Sequence, residues 1–217
     1  MLICILAWDG FTSLLIASQE GHREVVEFLV DKAANIDARH ADGRTILFIA
    51  SVNGHLDIVK FLVENGADIE AENENGYTSL HVASSDGRLD IVKLLVEKGA
   101  KVNASTKDRV TSLHITSAEG HLEVAEFLVE KGANIDASDT RGCTSLYVAS
   151  WYGQLEVVKF LVSKGANINT CALNGFTSLL IASQEGYREV VEFLADKAGN
   201  INASHAFSDL DPPHKLT

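Results

Sequence analysis

Apolar positions along the chain return with a period much longer than that of any helix or strand. Thr12, Thr45, Thr78, Thr111, Thr144 and Thr177 stand 33 residues apart, and each leads into an apolar run through Leu14, Leu47, Leu80, Leu113, Leu146 and Leu179. Small pairs follow three residues on, from Ala17-Ser18 to Ala182-Ser183, with Thr116-Ser117 in the fourth copy. A Gly closes the run every time: Gly21, Gly54, Gly87, Gly120, Gly153 and Gly186. A hydroxyl residue ahead of an apolar run accepts an orphan backbone N–H at a helix start, and a Gly just past a helix suits the left-handed conformation there. The spacing therefore predicts a short first helix whose small residues let neighbouring helices approach. A second stripe at i, i+3, i+4 follows, as in Val25-Val26 with Phe28-Leu29, Ile58-Val59 with Phe61-Leu62, and Val157-Val158 with Phe160-Leu161. It predicts a second helix with one buried face. Gly66-Ala67, Gly99-Ala100, Gly132-Ala133 and Gly165-Ala166 end that helix, and polar stretches such as Glu72 to Gly76 read as turns between units.

A fixed period of this size is the mark of a stack of one small unit, with a long face for binding and no obvious crevice for catalysis. Gly76-Tyr-Thr-Ser-Leu-His-Val-Ala-Ser84, then Asp90-Ile-Val-Lys-Leu-Leu95 and Gly99-Ala100, resembles an ankyrin repeat. Six such copies, at about 7–38, 39–71, 72–104, 105–137, 138–170 and 171–203, fill residues 5–203. Residues 204–217, with Asp211-Pro212-Pro213, are left as a C-terminal tail, either disordered or a truncated seventh repeat. The resemblance implies an all-α repeat solenoid of helix–turn–helix units with β-hairpin loops, stacked into a curved array with a concave face. It also implies protein–protein binding and no catalysis.

Some positions depart from the family pattern. Ser13, Ser79, Ser112, Ser145, Ser178 and Ile46 stand where the family prefers Pro after the capping Thr. Pro at the first helical position is pre-organised, so each helix start is expected to be slightly looser. Arg109 takes the place of the turn glycines Gly10, Gly43, Gly76, Gly142 and Gly175, and is expected to strain that turn if it needs φ > 0. Ala33 and Ala198 replace the closing Gly of the end units. Stacked units should share one continuous core.

Composition narrows the partner. The net charge of −12 disfavours nucleic acid, whose binding rests on Lys and Arg; it mildly favours a basic partner surface, but the stronger reading is that Glu and Asp on helix faces keep the array soluble. The three cysteines, Cys4, Cys143 and Cys171, have no ligand-like spacing and read as free thiols in a reducing cytoplasm. The apolar Met1 to Leu6 is too short for a leader or a membrane span. His22, His55 and His121, and likewise His81 and His114, sit at repeat-equivalent positions, so they are expected to hydrogen-bond loop backbone and not a metal. No residue set suggests a cofactor.

Function should then lie where the repeat is least repetitive. One variable set follows the turn glycine: Phe11, Arg44, Tyr77, Val110, Cys143 and Phe176. The other is the pair before the first-helix Gly, where five units carry small or polar residues and the fifth carries Trp151-Tyr152. By the resemblance, both sets face the concave groove. Trp151, Tyr152 and Phe176 are expected to anchor a protein partner, with Tyr77, Arg44 and Trp8 extending the contact. The competing expectation is local packing of these aromatics on the adjacent hairpin.

The ends repeat one another. Gly10 to Lys32 and Gly175 to Lys197 agree at 21 of 23 positions, differing only at His22/Tyr187 and Val30/Ala195. Neither end carries the polar outer face that closes a solenoid. A piece of a longer array, self-association through the ends, and a regulatory segment of a larger enzyme or channel all fit this.

Overall fold

A computed structural model describes residues 13–198. Twelve helices are formed among the described residues, two per unit. They are α1 (Ser13–Gln19) and α2 (Arg23–Asp31), α3 (Ile46–Val52) and α4 (Leu56–Glu64), α5 (Ser79–Ser85) and α6 (Leu89–Glu97), α7 (Ser112–Glu119) and α8 (Leu122–Glu130), α9 (Ser145–Trp151) and α10 (Leu155–Ser163), and α11 (Ser178–Glu185) and α12 (Arg188–Ala198). Each first helix packs on the first helix of the next unit and each second helix on the next second helix, which makes two parallel layers. The expected Trp8 site, the Met1 to Leu6 stretch and the tail from 204 lie outside the described residues.

The caps form as their residues dictate. Thr45, Thr144 and Thr177 sit in extended backbone and accept the amides of Phe48, Tyr147 and Leu180. Thr78 and Thr111 close reciprocal capping boxes with His81 and His114. These two imidazoles are buried between units. His81 Nε2 donates to the Ala104 carbonyl at 3.1 Å, and His114 Nε2 to the Cys143 carbonyl at 3.0 Å. His55 reaches back to the Gln19 carbonyl and His121 to that of Ser85, each from one unit to the one before. Four of the five repeat-equivalent histidines thus bond backbone carbonyls, His81 and His114 in loops as their positions predicted and His55 and His121 at the ends of α1 and α5.

The hairpins between units are narrow. Arg39 with Thr45, Ser105 with Thr111, and Ser138 with Thr144 each form a single antiparallel bridge, and the described residues form no longer strand. Instead, neighbouring hairpins are stitched sideways: Glu74 N–H to Asp42 O, Lys107 N–H to Asn75 O, Thr140 N–H to Asp108 O, and Leu173 N–H to Arg141 O, all 2.8–3.1 Å. The tip residue must turn left-handed to allow this. Gly76 and Gly142 do so at φ 83° and 76°, and Arg109 does so at φ 61°, the strained position its sequence context predicted.

Burial follows the two stripes. Leu47, Ile58, Leu62, Leu80, Val92 and Leu95 lie in one apolar group across the early units, and Leu146, Val157, Val158, Leu161, Val190 and Leu194 in another across the late ones. The core is therefore not one uninterrupted cluster. The two groups meet in unit 4, where Ala133 packs on both. There Ala125 replaces the Val found at positions 26, 59, 92, 158 and 191, and His114 and Thr116 occupy the first-helix layer. Less apolar volume is available to join the groups at that point.

Candidate functional site: a groove across units 3 to 5

Hairpins on one side and first helices on the other bound a groove of about 300 Å³. Its apolar wall is Tyr77 from unit 3, Val110 and Ile115 from unit 4, and Val148, Trp151 and Tyr152 from unit 5. Glu119 and Arg141 add charge at its edges. Residues 75 positions apart in sequence meet here because stacking at a 33-residue period lines up equivalent positions of successive units.

The unit 5 end of the groove is built on a buried carboxylate. Asp139 accepts the amides of Arg141 and Cys143, both at 2.8 Å, and forms an ion pair with the Arg141 guanidinium at 2.9 Å. Burial works to raise the Asp139 pKa, but these hydrogen bonds outweigh it and hold the carboxyl below its usual value. Arg141 is thereby aimed over the Trp151 ring, 5.9 Å from its centroid. Trp151 in turn meets Tyr147 edge-on, with centroids 5.9 Å apart, and lies near-parallel to Tyr152 at 6.3 Å. Tyr147 is fully buried, and burial raises its hydroxyl pKa.

The expected site residues divide into three kinds. Tyr77, Trp151 and Tyr152 share the groove, and Tyr152 is 56% exposed. Phe176 does not line it. With Trp151, Phe176 packs on the small cluster of Cys143, Tyr147, Ala172 and Ile181, so the packing expectation holds for Phe176 and for part of Trp151. Arg44 lies three units away from Trp151, hydrogen-bonded to Asp42 at 2.7 Å, and is also outside the groove lining. Cys143, a member of the first variable set, is buried and not groove-facing, and desolvation lifts its thiol to about 11. Cys143 and Cys171 are both free thiols.

Sequence reasoning singled out neither Asp139 nor Arg141. The available signal was an acid two residues before an arginine at a turn, the local pattern by which an Asx side chain caps its own loop. The same arrangement recurs at Asp42 and Arg44.

Among the described residues, no cluster of three or more His, Cys, Asp or Glu side chains is arranged to hold a metal ion, and no helix is long and apolar enough to cross a membrane. Paired helices joined by tight turns, stacked with a side groove, define a helical repeat solenoid. Family models described as ankyrin repeats match residues 14–106, 103–172 and 152–195, and the chain belongs to the ankyrin repeat family. Ankyrin repeats are in general protein–protein interaction modules. No curated protein matched the chain.

Proposed function

We propose that this chain is a protein-binding module, without catalysis of its own, whose partner seats on the groove between hairpins and first helices of units 3 to 5. The observation that carries the reading is the convergence of Tyr77, Trp151 and Tyr152 from different units on one open apolar groove. Aromatic residues of this kind contribute most of the measured binding energy at interfaces. Trp151 and Tyr152 are the anchors, Tyr77 closes the far end, and Arg141 holds the Trp151 ring in place. Phe176 packs on the same cluster as Trp151, behind the groove, while Arg44 and Trp8 would extend contact toward the early units. The free thiols are at home in a reducing compartment such as the cytoplasm.

The test is capture of cytosolic proteins by the full chain and by the W151A/Y152A double variant, with circular dichroism on both. The expected result is loss of specific partners by more than ~2 kcal/mol in binding, with helicity retained. Equal capture by the two folded proteins would remove the groove from the interface.

A further inference from the structure

Units 1 and 6 carry nearly the same residues in two different surroundings, so each unit shows what the other's uncovered face fits. In unit 6, Ile181 and Val190 are 3% and 1% exposed because unit 5 lies against them. Phe193 is half-buried in the same contact. Their counterparts in unit 1 are the same amino acids, Ile16, Val25 and Phe28, and these stand 48%, 45% and 59% exposed. At the Val25 position the other five units bury Ile58, Ile91, Val124, Val157 and Val190 to 2% or less. Among the described residues, the front face of unit 1 is therefore an uncovered copy of a face that the same chain buries under the back of an ankyrin unit.

The back of unit 6 gives the mirror case. In unit 1, Leu14, Leu15 and Val26 are 2%, 0% and 0% exposed, with unit 2 packed on this unit. The identical residues in unit 6, Leu179, Leu180 and Val191, are only half-buried. Elsewhere in the array the residues at the Leu180 position, Phe48, His81, His114 and Tyr147, are at most 5% exposed.

We infer that the front face of unit 1 and the back face of unit 6 are the two halves of a head-to-tail contact between copies of this chain. The occupant of Ile16, Val25 and Phe28 is the unit 6 back face of a second copy. Within the array Ile181 shares a cluster with Tyr147, and Val190 shares one with Val158. Carrying that register across the junction sets Ile16 against Leu180 and Val25 against Val191 of the second copy. The two faces are different patches, so the contact is heterologous. Each added copy presents a fresh front and back, and growth stays open unless the rotation closes a ring. This association uses neither Trp151 nor Tyr152, so it stands or falls separately from the groove.

Sedimentation velocity of the full chain from micromolar to near-millimolar concentration tests it, with two variants checked for folding by circular dichroism. V25E/F28E blocks the front and L180E/V191E blocks the back. The expected result is a concentration-dependent series of oligomers for the native chain, monomers for each variant alone, and a one-to-one complex that does not grow when the variants are mixed. If the half-buried back-face positions do not tolerate charge, V25E/F28E alone still reports. It keeps its back face, so adding it to the native chain caps growth and shortens the series. A native chain that remains monomeric throughout, because residues of its own cover these faces, overturns the inference. So does self-association of a folded single-face variant, which would mean a symmetric contact, or failure of both mixtures.

Discussion

The Nε2–H of His114 donates to the carbonyl of Cys143, one unit ahead, while Nδ1 accepts the amide of Thr111 at the start of its own helix. One neutral imidazole therefore caps α7 and fastens unit 4 to the unit 5 hairpin, directly beneath the groove. His81 Nδ1 likewise accepts the Thr78 amide, while its Nε2–H donates to the Ala104 carbonyl at the end of its own unit.

These two bonds make stability depend on pH. Burial lowers the pKa of both imidazoles from the usual 6.5. In the unfolded chain they take up a proton below about pH 6.5, whereas the folded array holds them neutral. Their contribution is fully present above that pH and is lost as pH falls from about 6.5 toward the lowered folded values. Asp42 and Asp139, held below the usual 3.8, add a separate loss at lower pH. Urea titrations from pH 7.5 to 5 should show falling stability, and H114N should flatten that slope while costing about 1–2 kcal/mol at pH 7.5. An unchanged slope in a folded H81N/H114N double variant would assign the acid sensitivity elsewhere.

Ser112 and Ser145 hold the first helical position with hydroxyls that are buried and unpartnered. The residues before them, Thr111 and Thr144, are already extended at ψ 166° and 167°, the conformation that precedes proline. The first amide of a helix has no intrahelical acceptor, so proline there removes no helical bond. S112P and S145P should each raise stability by about 0.5–1 kcal/mol in thermal or urea unfolding. A loss of stability would show that the ring overfills a site shaped for serine.

Arg109 holds φ 61° at the tip of the unit 4 hairpin, while Thr140 N–H still reaches the Asp108 carbonyl at 2.9 Å. Glycine adopts this backbone without the Cβ clash. R109G should stabilise the array by about 1 kcal/mol, and the same change at Ala33, φ 63°, should tighten the end of α2. Amide hydrogen exchange at Thr140 would detect the first effect locally as slower exchange, and unaltered exchange would count against strain at this tip.

Tyr152 and Trp151 should separate under mutation. Tyr152 is mostly exposed, so Y152A should leave unfolding within about 0.5 kcal/mol of the native chain. Trp151 also packs edge-on against Tyr147 and on the cluster of Cys143, Ala172 and Ile181, and W151A should cost about 1–2 kcal/mol. Both should weaken the captured partner. R141A, which frees the Trp151 ring without touching its packing on Tyr147, should weaken it less than W151A. Stability and binding measured on the same three variants decide whether the aromatics are anchors or filler.

The 33-residue period was enough to fix the unit, its two helices and its turns, because each unit's helices are set by local signals: a capping Thr, an apolar stripe and a closing Gly. The histidine positions and the strained Arg109 were legible for the same reason, since repetition marks what a position normally holds. The line between exposed and buried was not legible. Tyr77, Cys143 and Phe176 occupy equivalent places in units 3, 5 and 6, yet Tyr77 opens onto the groove, Phe176 packs on the cluster around Tyr147 and Cys143 is sealed in. Which of them faces outward depends on the neighbouring unit's side chains, such as Tyr147 in place of His114, and not on the position itself. The break in the core at Ala125 has the same origin. Local sequence determines a repeat, and contact between non-identical repeats determines its surface, because the free energy of burial depends on the atoms that arrive from the next unit.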